Sequence, residues 1–311
     1  MMNIVFFGSG NFAVKVLESI DRRAFPISLV VTQPDRKKGR HLHLGATPVK
    51  TFALDHGLNI FQPEDVNGVE SLETLKDKHA DIFLVVSYGR ILSGRLLDVP
   101  SIMAINIHSS LLPKYRGAAP VNRALIQGEK TTGITFIKMN TGMDRGDILL
   151  QKALKIGRHD TAPVLDQRLS LLASKYINKL LAVTELGRYR LKKQRENTAS
   201  YAALMHKQDG LIRWQETSTE IYNRFRGCYG WPGTFTFFRG KILKILELKP
   251  GRRLAQAKPG TIVKVEDNAL VVACRQGTVI ITEVLPESHK KMPVSSFLAG
   301  HDVKVGNILG V

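Results

Sequence analysis

Along the first 160 residues, short unbroken apolar runs alternate with stretches of helical spacing. Residues 3–7, 27–32, 81–87 and 102–106 read as strands, and the run Ile82-Phe83-Leu84-Val85-Val86 is apolar throughout, as a strand buried on both faces requires. Between them, residues 12–20 place Phe12, Val16, Leu17 and Ile20 on one helical face, and helical patterns recur around 51–56 and 69–79. Strands alternating with helices predict a doubly wound parallel sheet of Rossmann type. Residues 132–139 and 148–156 read as two further strands bracketing a loop, and 164–186 as a long amphipathic helix closing a first domain of residues 1–187. A polar, basic linker follows over 188–203, with Arg188, Arg190, Lys192, Lys193 and Arg195. Beyond it, from 204 to 311, the texture changes. A short helix near 218–226 precedes short strands at 234–238, 241–248, 261–266, 269–274 and 279–284, which predict a small open β-barrel of OB type. The Trp231-Pro232 pair reads as part of its core.

The charge balance narrows the function. Forty-five Lys and Arg against 27 Asp and Glu give a net charge of +18, which points to a polyanionic partner such as nucleic acid. Cys228 and Cys274 are the two cysteines and form no CxxC pair, which argues against a disulfide framework and a cysteine zinc site. No metal is expected. The first residues read as a strand instead of a signal peptide, and no apolar run reaches membrane-span length, so the expected location is the cytoplasm.

Candidate chemistry sits at the end of the strand at 102–106. Asn106 and His108 are two apart and leave one face of the chain where open α/β sheets bind ligands. With a carboxylate from Asp144 they suit acyl transfer to an amine: amide and imidazole donate to a developing oxyanion, and the carboxylate orients the imidazole and manages a proton. A competing signal is Gly8-Ser9-Gly10-Asn11-Phe12-Ala13, which fits G-x-G-x-x-A, with Asp35 past the second strand. It opens the reading of an NAD(P) oxidoreductase, although any tight strand-to-helix turn favours glycine. The cation-rich segment 33–50 is long for a plain strand-to-helix connection and reads either as a solvated loop or as a flexible arm for phosphates.

The phrase Asn106-Ile107-His108-Ser109-Ser110-Leu111-Leu112-Pro113-Lys114-Tyr115-Arg116-Gly117-Ala118-Ala119-Pro120, with Met143-Asp144-x-Gly146 beyond it, resembles the folate-dependent formyltransferases. The resemblance covers nearly the whole chain and implies the roles that follow. Asn106, His108 and Asp144 would be catalytic, and the formyl donor would be 10-formyltetrahydrofolate. Tyr88, Gly89, Arg90, Ile91 and Leu92, with Ser110, Leu111, Leu112 and Pro113, would line its pocket. The basic insertion and the second domain are similar to those of the tRNA-directed branch, in which the acceptor is initiator methionyl-tRNA and the enzyme a monomer. Arg36, Lys37, Lys38 and above all Arg40, in the pattern Pro-Asp-Arg-x-x-Gly-Arg, would then contact tRNA. A UDP-aminosugar formyltransferase with the same core is the alternative acceptor class, and a non-catalytic RNA-binding protein keeping the fold is a third reading.

Overall fold

The structure is a computed structural model and describes residues 1–38, 43–251 and 257–310. It divides into two compact units. The first comprises residues 1–120, 131–155 and 166–202, and the second 121–130, 156–165 and the chain from Ala203 onward.

The elements of the first half are β1 (Ile4–Gly8), α1 (Asn11–Ser19), β2 (Ile27–Val31), β3 (Arg36–Lys38), β4 (His43–Gly45), α2 (Pro48–Asp55) and β5 (Ile60–Phe61). Then come α3 (Val69–Lys76), β6 (Ile82–Val86), α4 (Gly94–Leu97), β7 (Met103–His108), α5 (Pro120–Ile126), β8 (Thr131–Lys138), β9 (Ile148–Lys155) and α6 (Ala162–Glu185). The sheet order is β5-β2-β1-β6-β7-β8-β9. From β5 to β7 neighbours are parallel, as the alternating pattern predicts, and β1 and β6 are buried at every position. β8 and β9 are antiparallel, so the sheet is mixed. A loop with no crossover helix joins them, and only antiparallel neighbours can be connected so directly.

The glycine turn after β1 is explained by packing. A Cβ on Gly8 would lie 2.7 Å from the Ala13 Cβ, so the glycine lets α1 close onto its strand. Asp35 is also engaged within the fold, accepting from Lys50 Nζ at 2.6 Å and Gln62 Nε2 at 2.9 Å. The long basic segment forms a hairpin, β3 pairing antiparallel with β4 from Arg36↔Gly45 to Lys38↔His43. Its base is fixed by Thr47, which caps α2 by accepting from Lys50 N and bonds Thr32 Oγ1 at 2.7 Å.

The second unit contains α7 (Ser218–Cys228), β10 (Thr234–Phe238), β11 (Lys241–Pro250), β12 (Ile262–Glu266), β13 (Ala269–Ala273), β14 (Thr278–Pro286), β15 (Met292–Pro293) and α8 (Val294–Gly300). Its strands form an antiparallel sheet in the order β10-β11-β14-β13-β12, with β15 added to β14. Among the described residues β10 and β12 do not pair with each other, so the sheet stays open. Its core joins Trp214, Ile221, Phe225, Leu243, Ile262, Val279 and Phe297, and α7 begins with a capping box between Thr217 and Glu220. Trp231 departs from expectation. It lies in the turn between α7 and β10, not on a strand face, and is 64% exposed.

Both cysteines are buried in this unit, and burial pushes the thiols up to about 11 for Cys228 and about 12 for Cys274. At pH 8 the folded protein is therefore expected to react negligibly with a disulfide reagent, and to release both thiols in guanidinium. Rapid reaction of the native protein would show that this core opens readily.

Candidate active site

β7 runs two residues beyond the strand predicted at 102–106, so both Asn106 and His108 fall on the strand itself, on one face of its carboxyl end. Asp144 comes to them from the loop joining β8 to β9. Asn106 Nδ2 donates to Asp144 Oδ1 at 3.3 Å, and His108 Nδ1 lies 3.5 Å from Asp144 Oδ2. The other ring nitrogen, Nε2, is 2.8 Å from the Tyr115 carbonyl. A carbonyl only accepts, so Nε2 carries a hydrogen here, and Nδ1 meets the carboxylate attractively when it too is protonated. The three side chains expected to act together are thus brought together.

The carboxylate is held on a constrained backbone. Asp144 has φ +53°, a left-handed conformation uncommon outside glycine. Its Oδ2 accepts from Gly117 N at 2.8 Å. Gly117 is itself at φ +114°, and a Cβ there would stand 2.8 Å from the Ala202 carbonyl, so only glycine brings that N–H to Asp144 without strain. Gly146 is equally required, since a Cβ would fall 1.8 Å from the Lys138 carbonyl.

Gln194 touches the same loop, its Nε2 donating to the carbonyls of Asp144 and Gly146 at 2.8 Å each. Its Oε1 accepts from Arg116, which has no exposed surface and also makes a two-pronged pair with Glu196, both bonds 2.8 Å. Arg116 in turn holds the Glu196 carboxyl below the usual range by that hydrogen bond. Residues 188–202 thus run along the first unit. Lys192 bridges Ile148, Ser200 O accepts from Arg116 N, and Ala202 N donates to Arg116 O. Arg116 stood in the sequence motif without a role, and Gln194 carried no signal at all, because its importance comes from a fold-dependent contact within a segment that reads as a connector.

The loop after β6 is shaped by positive φ at Ser87 and Gly89. The Tyr88 ring is core, packed edge-on to Phe7, and burial pushes its hydroxyl up to about 12. Leu92 is buried, Ile91 is exposed, and Arg90 Nη1 donates to the Glu64 carbonyl at 2.6 Å. Among the described residues, the backbone N–H and C=O of Arg90 and Leu92 make no hydrogen bond within the protein. Just beyond in the chain, a cleft of about 410 Å³ is lined from Gly94 to Pro100, by Ile102 to Ala104 at the start of β7, and from Lys138 to Thr141. That last wall begins the loop that carries Asp144. The turn Ser110–Pro113 is braced from β8 and β9: Thr135 Oγ1 donates to Ser110 O and accepts from Leu112 N, and Gln151 donates to Leu112 O. Leu111 and Pro113 are half-buried in that braced turn. Arg36, Lys37 and Lys38 form β3, while Arg40 lies outside the described residues.

The formyl transferase family profile matches residues 2–181, and the profile of the formyl transferase C-terminal domain matches 204–302. The chain belongs to the formyl transferase family. Methionyl-tRNA formyltransferases of Caldanaerobacter subterraneus and Syntrophus aciditrophicus are 38% and 40% identical to it, each over 99% of this chain and 100% and 99% of their own. Among solved structures, an N-formyltransferase from Helicobacter canadensis, in complex with folinic acid and dTDP-3-aminofucose, superposes with a TM-score of 0.67 at 19% identity, covering 94% of this chain and all 100% of that one. HypX from Aquifex aeolicus, in complex with tetrahydrofolic acid, gives 0.66 at 16% over 96% of this chain and 47% of its own. These structures share the formyl transferase fold. No helix among the described residues is long and apolar enough to cross a membrane.

Beside this site the exposed Tyr201 hydroxyl accepts from Arg145 Nη2 at 2.8 Å, and that bond, with Arg116 nearby, holds the phenol below its ordinary value. Cations favour the phenolate, so in an ultraviolet difference titration Tyr201 is expected to ionise below the ordinary tyrosine range, as a first step. Arg145→Ala should move that first step upward. An unchanged curve would show that the contact does not persist in solution.

Proposed function

We propose that this formyl transferase moves the formyl group of 10-formyltetrahydrofolate to the α-amine of methionine on initiator tRNA, acting as a cytoplasmic monomer. The observation that carries this reading is the end-to-end match, second domain included, to relatives that bear the name methionyl-tRNA formyltransferase. The charge of +18 supports the tRNA acceptor over an aminosugar.

The donor set fits a folate. The cleft combines apolar side chains at Leu97, Met103, Ala104 and Met139 with polar ones at Asp98, Lys138, Asn140 and Thr141, a mixture that suits a heterocycle bearing ring nitrogens. In the loop preceding Gly94 the peptide groups of Arg90 and Leu92 make no hydrogen bond among the described residues. When bound there, 10-formyltetrahydrofolate supplies the formyl carbon that the amine attacks. One N–H of Asn106 is committed to Asp144, and the second is available to the formyl oxygen as that oxygen gains negative charge. His108 supplies a further donor once Nε2 exchanges the Tyr115 carbonyl for the same oxygen. Asp144 orients the imidazole and receives the proton the amine sheds, while the folate nitrogen that leaves takes one up. The hairpin residues Arg36, Lys37 and Lys38, with Arg40, and the basic second domain would hold the acceptor arm through its phosphates.

The test is transfer of labelled formyl from 10-formyltetrahydrofolate to charged initiator tRNA. Wild type is expected to turn over, and His108→Ala and Asp144→Asn each to lower kcat by about 100-fold or more. Transfer to a UDP-aminosugar and none to Met-tRNA would assign the alternative acceptor. A second measurement addresses the hairpin. Replacing Arg36, Lys37 and Lys38 together by Ala should raise KM for tRNA and flatten the dependence of log binding on log salt by roughly 0.7–0.9 per lost phosphate contact. An identical salt slope would remove these residues from the interface.

A further inference from the structure

We propose that Gln194 is a positioning residue for the catalytic carboxylate, fixing the Asp144 loop to the buried guanidinium of Arg116; the proposal rests on the role assigned above to Asp144. The geometry engages the whole side-chain amide. Nε2 gives one hydrogen to the Asp144 carbonyl and the other to the Gly146 carbonyl, while Oε1 takes Nε and Nη2 of Arg116 at 3.1 and 2.8 Å. Two donors and two lone pairs are thereby used, the full capacity of a glutamine amide.

Asp144 is consequently held at two places by one neighbour. Through Gln194, Arg116 fixes the main chain on both sides of Arg145. Through the next peptide, the Gly117 N–H at 2.8 Å fixes carboxylate oxygen Oδ2. Asp144 needs such restraint, because a non-glycine residue at φ +53° holds that conformation only where its surroundings impose it. The chemistry of the link admits few substitutes. A glutamate at 194 keeps the shape and pairs with Arg116, yet turns lone pairs toward both loop carbonyls. A methionine fills the space and bonds neither partner. The loop would then drift from Asn106 and His108, and displacements of the order of 1 Å in a reacting group can cost about 100-fold in rate.

The experiment uses the full chain and single-turnover formyl transfer to Met-tRNA, with Gln194→Glu and Gln194→Met each made alone and in an Asp144→Asn background. Both single variants are expected to fold, Gln194→Met with a lower melting temperature because it leaves two buried Arg116 donors without an acceptor. Both should bind tRNA and folate within about twofold while losing roughly 10-fold to 100-fold in the transfer rate. In the Asp144→Asn background the same changes should cost little more, since the residue through which Gln194 acts is already disabled. If Gln194→Met proves unstable, the isosteric Gln194→Glu carries the comparison. A wild-type rate in either folded variant would overturn the proposal, as would a loss of equal size in both backgrounds. Failure of wild type itself to formylate Met-tRNA would instead overturn the functional reading.

Discussion

The site depends on a cation with no exposed surface. Arg116 is enclosed between the turn after β7 and the strap of residues 188–202, and its side chain makes four hydrogen bonds, two to Gln194 and two to Glu196. Taking a guanidinium out of water is costly, and its partner recovers only part of that through charge, because the Glu196 side chain is 62% exposed and well screened. Hydrogen-bond geometry therefore contributes more than Coulomb attraction. The planar fork fits a carboxylate on one edge and an amide oxygen on the other, and a lysine could not reproduce both. The backbone of Arg116 is bonded on each side to Ser200 and Ala202, so the turn and the strap are fixed by main chain as well as side chain.

From that fixed point the functional groups take their places in two steps. Gly117, the next residue, presents its N–H to Asp144, and β7 supplies Asn106 and His108 from the sheet. A rigid strand end thus carries two of the three side chains and a tethered loop the third. The sheet sets the distances, and the loop that brings in Asp144 also supplies, at Met139 to Thr141, one wall of a cleft.

Much of this was legible in the chain. β1, β2, β6 and β7 follow from apolar runs, and the two-residue spacing of Asn106 and His108 announces a shared face. What escaped has physical reasons. Strand direction in β8 and β9 depends on how the intervening loop crosses, which periodicity does not encode. Trp231 is apolar yet sits in a turn, so hydrophobicity misplaced it. The basic segment at 33–50 contains too few apolar positions to announce a hairpin, and the pairing of β3 with β4 rests on backbone bonds that any residue can make. Gln194 is the sharpest case: flanked by lysine and arginine in a run resembling a connector, it gains its meaning only from atoms 48 to 78 residues away.

The strap also changes what counts as a module. A cut made after α6, where periodicity ends the first domain, would leave a sheet whose buried guanidinium has lost every partner for its side chain. Evolution by fusion or exchange of C-terminal domains on this scaffold would have to carry residues 188–202 with the sheet, so the seam at which such proteins are recombined lies past the connector, not before it.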